Sequence, residues 1–246
     1  MFPAFQKEPL RTQGRNFESA VGLLLLKPDE RPAKARLSTF EKKTDGEQGL
    51  WGFQFGSAPW ESDSSSYFTA ALVALANRDS LDTGLPGVSG FLRGSFSNQP
   101  LHQKLMWLWA RAPELERGAR LELEKEVWKR QSSDGSWTDE ALGPWPESTG
   151  KPDGKGQSAY ATAFLTFVLQ QAGTGCADER LTRARVWLRS HQDAKTGAWR
   201  SMSMNKNYAP SSMPSGFMDD AATGFAVMAL LDPGLCASSA DRRAAK

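Results

Sequence analysis

Three stretches of the chain are apolar on nearly every side of a helix: TAALVALA from Thr69, TAFLTFVL from Thr162 and TGFAVMAL from Thr223. Their flush of Ala and Gly predicts helices that lie inside, with little polar face to show to water. Charged amphipathic stretches alternate with them. One carries Leu121, Val127 and Trp128, another Leu181, Val186, Trp187 and Leu188, and both have the spacing of surface helices with one buried stripe. ESAVGLLLL from Glu18 reads as a further inner helix stopped by Pro28, and 88–93 and 101–111 supply two more, the latter crowding Leu105, Met106, Leu108 and Trp109. The count is about nine helices, or about four and a half pairs.

The pairs repeat. A Trp comes shortly after a Gly, at Trp51, Trp137 and Trp199, and each is followed by one of the apolar helices. The two clearest units run from Trp128 through Gln131, Gly135 and Trp137 to Thr162, and from Trp187 through Gln192, Gly197 and Trp199 to Thr223. Trp137 and Trp199 are 62 residues apart and Thr162 and Thr223 are 61 apart, a register that implies a helical array. Inner helices buried all round with outer helices exposed on one face require an array that is closed or strongly curved, because only the outer layer then meets water. The fold class is all-α.

Composition narrows the function classes. With 246 residues and 39% hydrophobic content, one large helical domain with a real core is expected. Thirty basic and 28 acidic residues leave a formal charge of +2, too small a field to recruit nucleic acid or acidic lipid. The run Leu23 to Leu26 is far short of the ~20 apolar residues a membrane span needs, and the first residues lack the apolar centre of a secretory signal. A soluble chain is expected, cytoplasmic as it stands, or periplasmic or exported if its start is truncated. Cys176 and Cys236 form no CxxC and do not report a redox compartment.

VWKRQSSDGSW and VWLRSHQDAKTGAW resemble the QW repeat of squalene-hopene and oxidosqualene cyclases. More narrowly, GRNFESAVGLLLL, PWESDSSSYFTAALVALA, WKRQSSDGSW, AYATAFLTFVLQQAG and SMSMNKNYAPSSMPSGFMDDAATGFAVMAL are similar to bacterial squalene-cyclase-like proteins without assigned chemistry. The likeness covers 15–232, leaving 1–14 as an extension and 233–246 as a tail. It implies an α/α toroid of helix pairs, here an incomplete or open ring that a second domain or subunit would complete. It also implies structural roles for Gln131, Trp137, Gln192, Trp199 and Trp51: Gln capping a helix end, Trp stacking on the turn, together tying outer helices to one another.

The resemblance further points to an Asp-x-Asp-Asp run whose middle Asp protonates an alkene. Here the run reads Phe217, Met218, Asp219, Asp220, so Asp219 would be the donor and Asp220 its neighbour, with Phe217 in place of the first Asp. An acid of that strength needs a hydrogen-bonded carboxyl cluster, and half of it is missing. The competing reading of Asp219 and Asp220, as of Asp63 and Ser158, is helix capping. Glu61, Asp63 and Asp153 would join the two as an acidic rim if the inner helices all point one way. Tyr67, Phe68, Tyr160, Phe164, Phe167 and Phe225, with Trp107 and Trp109, would steady carbocations or hold an apolar ligand if a cavity exists, and otherwise fill a core.

Another toroid family, the protein prenyltransferases, needs zinc held by Asp, Cys and His, and no such pattern occurs, so neither metal nor cofactor is expected. A Ser or Cys nucleophile with a paired His finds no local support. The polar loops 139–157 and 202–217 leave a saccharide cleft as a distant third option. The expectation is a non-catalytic module that binds an apolar, isoprenoid-like ligand or a protein partner, or serves as a subunit of a larger assembly. The alternative is a class II isoprenoid cyclase acting through Asp219.

Overall fold

The computed structural model describes residues 65–76, 86–111, 115–145, 155–175, 177–203 and 207–231. Glu18 to Leu26, Trp51, Glu61, Asp63, Asp153 and both cysteines lie outside the described residues, as do the extension and the tail. The described chain is mostly helical and falls into two compact bodies, one ending at Gln99 and the other beginning at Pro100.

In the first body, α1 (Ser65–Ala76) packs on α2 (Pro86–Ser95). Tyr67, Ala70, Ala71, Ala74 and Leu75 recur at helical spacing and are all buried, and the Tyr67 hydroxyl donates to Leu92 O at 3.2 Å. Pro86 opens α2, the position at which its missing N–H costs nothing.

The second body holds α3 (Leu101–Arg111), α4 (Arg117–Lys129), α5 (Ala159–Gln171), α6 (Glu179–Ser190) and α7 (Met213–Leu231). The expected layering is present in α4 to α6. Every residue of α5 from Ala161 to Gln170 is buried, whereas α4 buries Leu123 and Val127 and α6 buries Leu181, Ala184, Trp187 and Leu188. α5 packs against α3, α6 and most extensively α7. Arginines on the outer helices reach the ends of the inner ones: Arg120 bonds Ala172 O, and Arg185 bonds Ala229 O and Leu230 O, a cation at the negative helix end in each case.

Two expectations are corrected. α7 does not open near Thr223; it starts at Met213, because Pro214 sits in the first turn and the Ser212 hydroxyl accepts from Ser215 N at 3.4 Å. Nor is α7 buried all round. Ala222, Ala226 and Ala229 face inward, while Met213, Phe217, Val227, Met228 and Leu231 are exposed.

The loop between α4 and α5 carries structure that helical periodicity does not report. β1 (Trp137–Thr138) pairs antiparallel with β2 (Gln157–Ser158), Trp137 opposite Ser158, and a 3₁₀ turn spans Glu140–Leu142. The pairing brings the Trp turn onto the start of α5.

Candidate functional site

The site grows from two matching turns. In the first, the Trp137 indole N–H donates to Val127 O at 2.9 Å and its backbone N–H to Thr162 Oγ1 at 3.0 Å. In the second, the Trp199 indole donates to Leu188 O at 2.8 Å and its backbone N–H to Thr223 Oγ1 at 3.0 Å. Each Trp thus staples the last turn of an outer helix to the following inner helix. Gln131 Nε2 donates to Gly135 O at 3.0 Å and to Arg180 O at 2.9 Å, so it closes its own turn and ties α4 to the first turn of α6. Gln192 Nε2 donates to Gly197 O at 2.8 Å. The tie between outer helices is made, but through the turn rather than by capping a helix end.

The shared acceptors also correct the register. Val127 and Leu188 are equivalent, so Trp128 and Trp187 are not counterparts. Trp128 lies 5.8 Å from the Trp137 ring and under the Arg180 guanidinium, 4.2 Å from its centroid, while Trp187 stacks on His191 at 3.8 Å.

Laid in this register, Ser158 corresponds to Asp219 and Asp139 to Ser201, offsets of 61 and 62 residues. In the first repeat Ser158 caps α5, accepting from Ala161 N at 3.1 Å as the sequence suggests, and donates to Asp139 Oδ1 at 2.5 Å. In the second the two residue types are exchanged. Asp219 accepts from Ser201 N at 2.8 Å through Oδ1 and from Arg200 Nη1 at 2.6 Å through Oδ2. Asp219 is the seventh residue of α7, so neither it nor the exposed Asp220 caps that helix, a correction that follows from the early helix start.

Asp219 and Arg200 form part of the wall of a pocket of about 540 Å³, shared with Ser201, Met202, Ser203 and Tyr208. Asp219 itself is only 7% exposed. Both its oxygens are used as acceptors, from a guanidinium and an amide. That suits a carboxylate fixed in place, and is the reverse of a carboxylic acid aimed at an alkene.

The aromatic residues separate by body. Tyr67 and Phe68 belong to the first. In the second, Tyr160, Phe164, Phe167 and Phe225 come together: Phe225 lies 5.8, 5.1 and 5.9 Å from the other three rings, and Trp109 adds edge contacts to Phe167 and Phe225 at 5.2 and 5.9 Å. These rings pack on one another, with Phe164 fully buried, and serve as core. Trp107 is buried as well.

Sequence reasoning missed the partner of this cluster. His102, on α3 and fully buried, stacks on Phe164 at 4.8 Å and lies 5.6 Å from the Trp145 ring. Its Nδ1–H donates to Gln103 Oε1 at 2.6 Å, which leaves Nε2 to accept from the Tyr160 hydroxyl at 2.8 Å. Burial pushes the imidazole down to about 4 against the Gln103 bond, so it is neutral. Burial likewise raises the Asp139 carboxyl to about 6, opposed by the Ser158 bond, and raises the Tyr160 phenol with help from the Asp139 charge. The only signal was a His and a Gln beside Lys104 in the mostly apolar LHQKLMWLWA. Ser158 gives its proton to Asp139 and its lone pair to the helix, so this is a structural cluster and not a nucleophile with its base.

Among the described residues no group of His, Cys, Asp or Glu stands together as a metal site, and no helix is long and apolar enough to cross a membrane. No protein-family model matches the chain, and no curated protein matches it.

Proposed function

We propose that the chain is a squalene-cyclase-like domain, an open α/α toroid of helix pairs, that acts as a non-catalytic module and binds a small apolar, isoprenoid-like ligand in the pocket beside Asp219. The toroid reading is supported by the alternation of exposed outer and buried inner helices and by the twice-built Trp staple. The binding reading is carried by one observation: the residue on which alkene protonation would depend is locked between Arg200 and Ser201 as an acceptor on both oxygens. The pocket has apolar surface from Met202, Tyr208 and Pro210 and polar groups at Arg200 and Ser203, which suits a ligand with an apolar body and a polar end. No cofactor takes part.

A class II cyclase reading draws support from a different feature, the exposure of Asp219 to that same pocket from an inner helix. One experiment separates the two. The full chain is titrated with squalene and with farnesol by calorimetry, and the mixtures are then assayed by gas chromatography. Saturable binding without cyclised product is expected, with Asp219→Asn altering affinity or stability alone. Cyclised product that disappears in Asp219→Asn overturns the binding reading, and absence of saturable binding removes the ligand.

A further inference from the structure

The pocket beside Asp219 has a polar wall whose hydrogen-bonding capacity the protein leaves largely unspent. Arg200 gives a single N–H, from Nη1, to Asp219 Oδ2, and the other carboxylate oxygen is taken by Ser201 N. The pair is joined at one point, so the Nε–Nη2 edge of the guanidinium bonds to nothing among the described residues. Asp219 in turn accepts two hydrogen bonds where a carboxylate has about four acceptor sites. Its side chain keeps 10% of its surface open and that of Arg200 63%, and both line the pocket. Ser201, Ser211 and Ser215 line it as well, and their hydroxyls make no bond among the described residues, although the backbone amides of Ser201 and Ser215 do.

This capacity is of both kinds, donor and acceptor, and it carries no net charge. The lining holds one guanidinium and one carboxylate, which cancel. An anionic group drawn to Arg200 meets Asp219 beside it, and a cationic group finds that carboxylate already paired. Asp193, whose carboxyl is held low mainly by the Thr196 amide and hydroxyl, feels Arg200 only weakly and stands outside the wall. A hydroxyl is neutral and both donates and accepts, and several neighbouring hydroxyls are needed to use the ion pair and the serines together.

We propose that the ligand of this pocket ends in an uncharged polyol, a sugar ring or a glycerol-like group, whose hydroxyls bridge Arg200 and Asp219 and reach Ser201, Ser211 and Ser215. Met202, Tyr208 and Pro210 then meet the apolar body. Most of the wall comes from the polar loop 202–217, which the sequence marked for a saccharide cleft. The inference rests on the ligand reading of the same pocket and specifies its polar end.

The test titrates the full chain by calorimetry with ligands that share a farnesyl tail, each below its micelle-forming concentration: farnesol, farnesyl β-D-glucoside, 1-O-farnesylglycerol, farnesyl phosphate and farnesylamine. Methyl β-D-glucoside serves as the head alone. The glucoside is expected to bind about tenfold more tightly than farnesol, the yield of one or two further net hydrogen bonds, and more tightly than either charged ligand. Farnesylglycerol separates the two sources of the polyol: affinity equal to that of the glucoside assigns a simple diol, and weaker affinity assigns the ring. A Ser201→Ala, Ser215→Ala double variant keeps both backbone bonds and is expected to bring the ratio of glucoside to farnesol affinity towards one, with its helicity unchanged. Equal affinity for glucoside and farnesol in the parent overturns the polyol end and leaves the apolar ligand standing. A charged ligand that binds most tightly also overturns it, as does a ratio that survives the double variant. Methyl glucoside binding as tightly as farnesyl glucoside keeps the polyol and removes the apolar body instead, and absence of saturable binding by every probe removes both.

Discussion

Replacing Asp139 by Asn tests whether the buried cluster behind the Trp137 turn carries a hidden electrostatic cost. Asp139 is 3% exposed, and burial lifts its carboxyl from 3.8 to about 6 despite the Ser158 bond. A raised folded-state value means that the folded protein holds the proton more tightly than the unfolded chain. The cost of the charge is therefore absent below about pH 4, grows as pH rises, and is complete above about pH 6. A shift of about two units corresponds to about 3 kcal/mol. Asn keeps an oxygen for the Ser158 hydroxyl but cannot ionise. Urea unfolding followed by Trp fluorescence is expected to show Asp139→Asn gaining on the parent by up to about 3 kcal/mol between pH 4 and pH 8. His102 is common to both proteins and cancels in the difference. In the parent alone it acts the other way: its lowered value removes stability as pH falls from 6.5 towards 4, which offsets Asp139 and keeps the parent profile nearly flat. A parent-to-variant gap that is constant with pH, or that widens towards acid, refutes the reasoning.

Two further outcomes follow from the repeated turns. Gly135 and Gly197 both have positive φ, +96° and +74°, yet only Gly135 lies against the backbone of the next outer helix. Gly135→Ala is thus expected to lower the urea midpoint far more than Gly197→Ala, which incurs backbone strain of only about 1 kcal/mol. Equal losses would show that the close contact with α6 is not required. Thr162→Val removes the acceptor of the buried Trp137 N–H and is expected to cost about 1 to 3 kcal/mol, with Thr162→Ser restoring most of it. No recovery with Ser would shift the cause from the hydrogen bond to packing.

The helices and their layering were legible because an all-buried helix such as α5 and a one-striped helix such as α6 differ at every turn of the sequence. The start of α7 was not. MPSGFMDD holds a Pro, a Gly and two Asp, all signs of a boundary, yet the Pro falls in the first turn and a single interior Gly costs only about 1 kcal/mol, less than the packing of the turns that follow it. That misplaced start made Asp219 look like a cap. Its true setting depends on Arg200 and Ser201, 19 and 18 residues away, a separation that periodicity does not see. The repeat register does see it, provided the anchor is right. The 62- and 61-residue offsets of the Trp and Thr positions already set Asp139 on Ser201 and Ser158 on Asp219, and the indole acceptors Val127 and Leu188 hold to that register where Trp128 and Trp187 do not. Each repeat then joins one carboxylate and one Ser at the junction of turn and inner helix, with the two swapped. In the first the Ser caps the helix and the carboxylate is buried; in the second the carboxylate sits within the helix, needs a cation once its position is fixed, and finds Arg200 beside the pocket. On that argument Asp219 occupies a structural position of the repeat, and its carboxylate, buried itself, meets at the pocket wall a cation that is largely exposed.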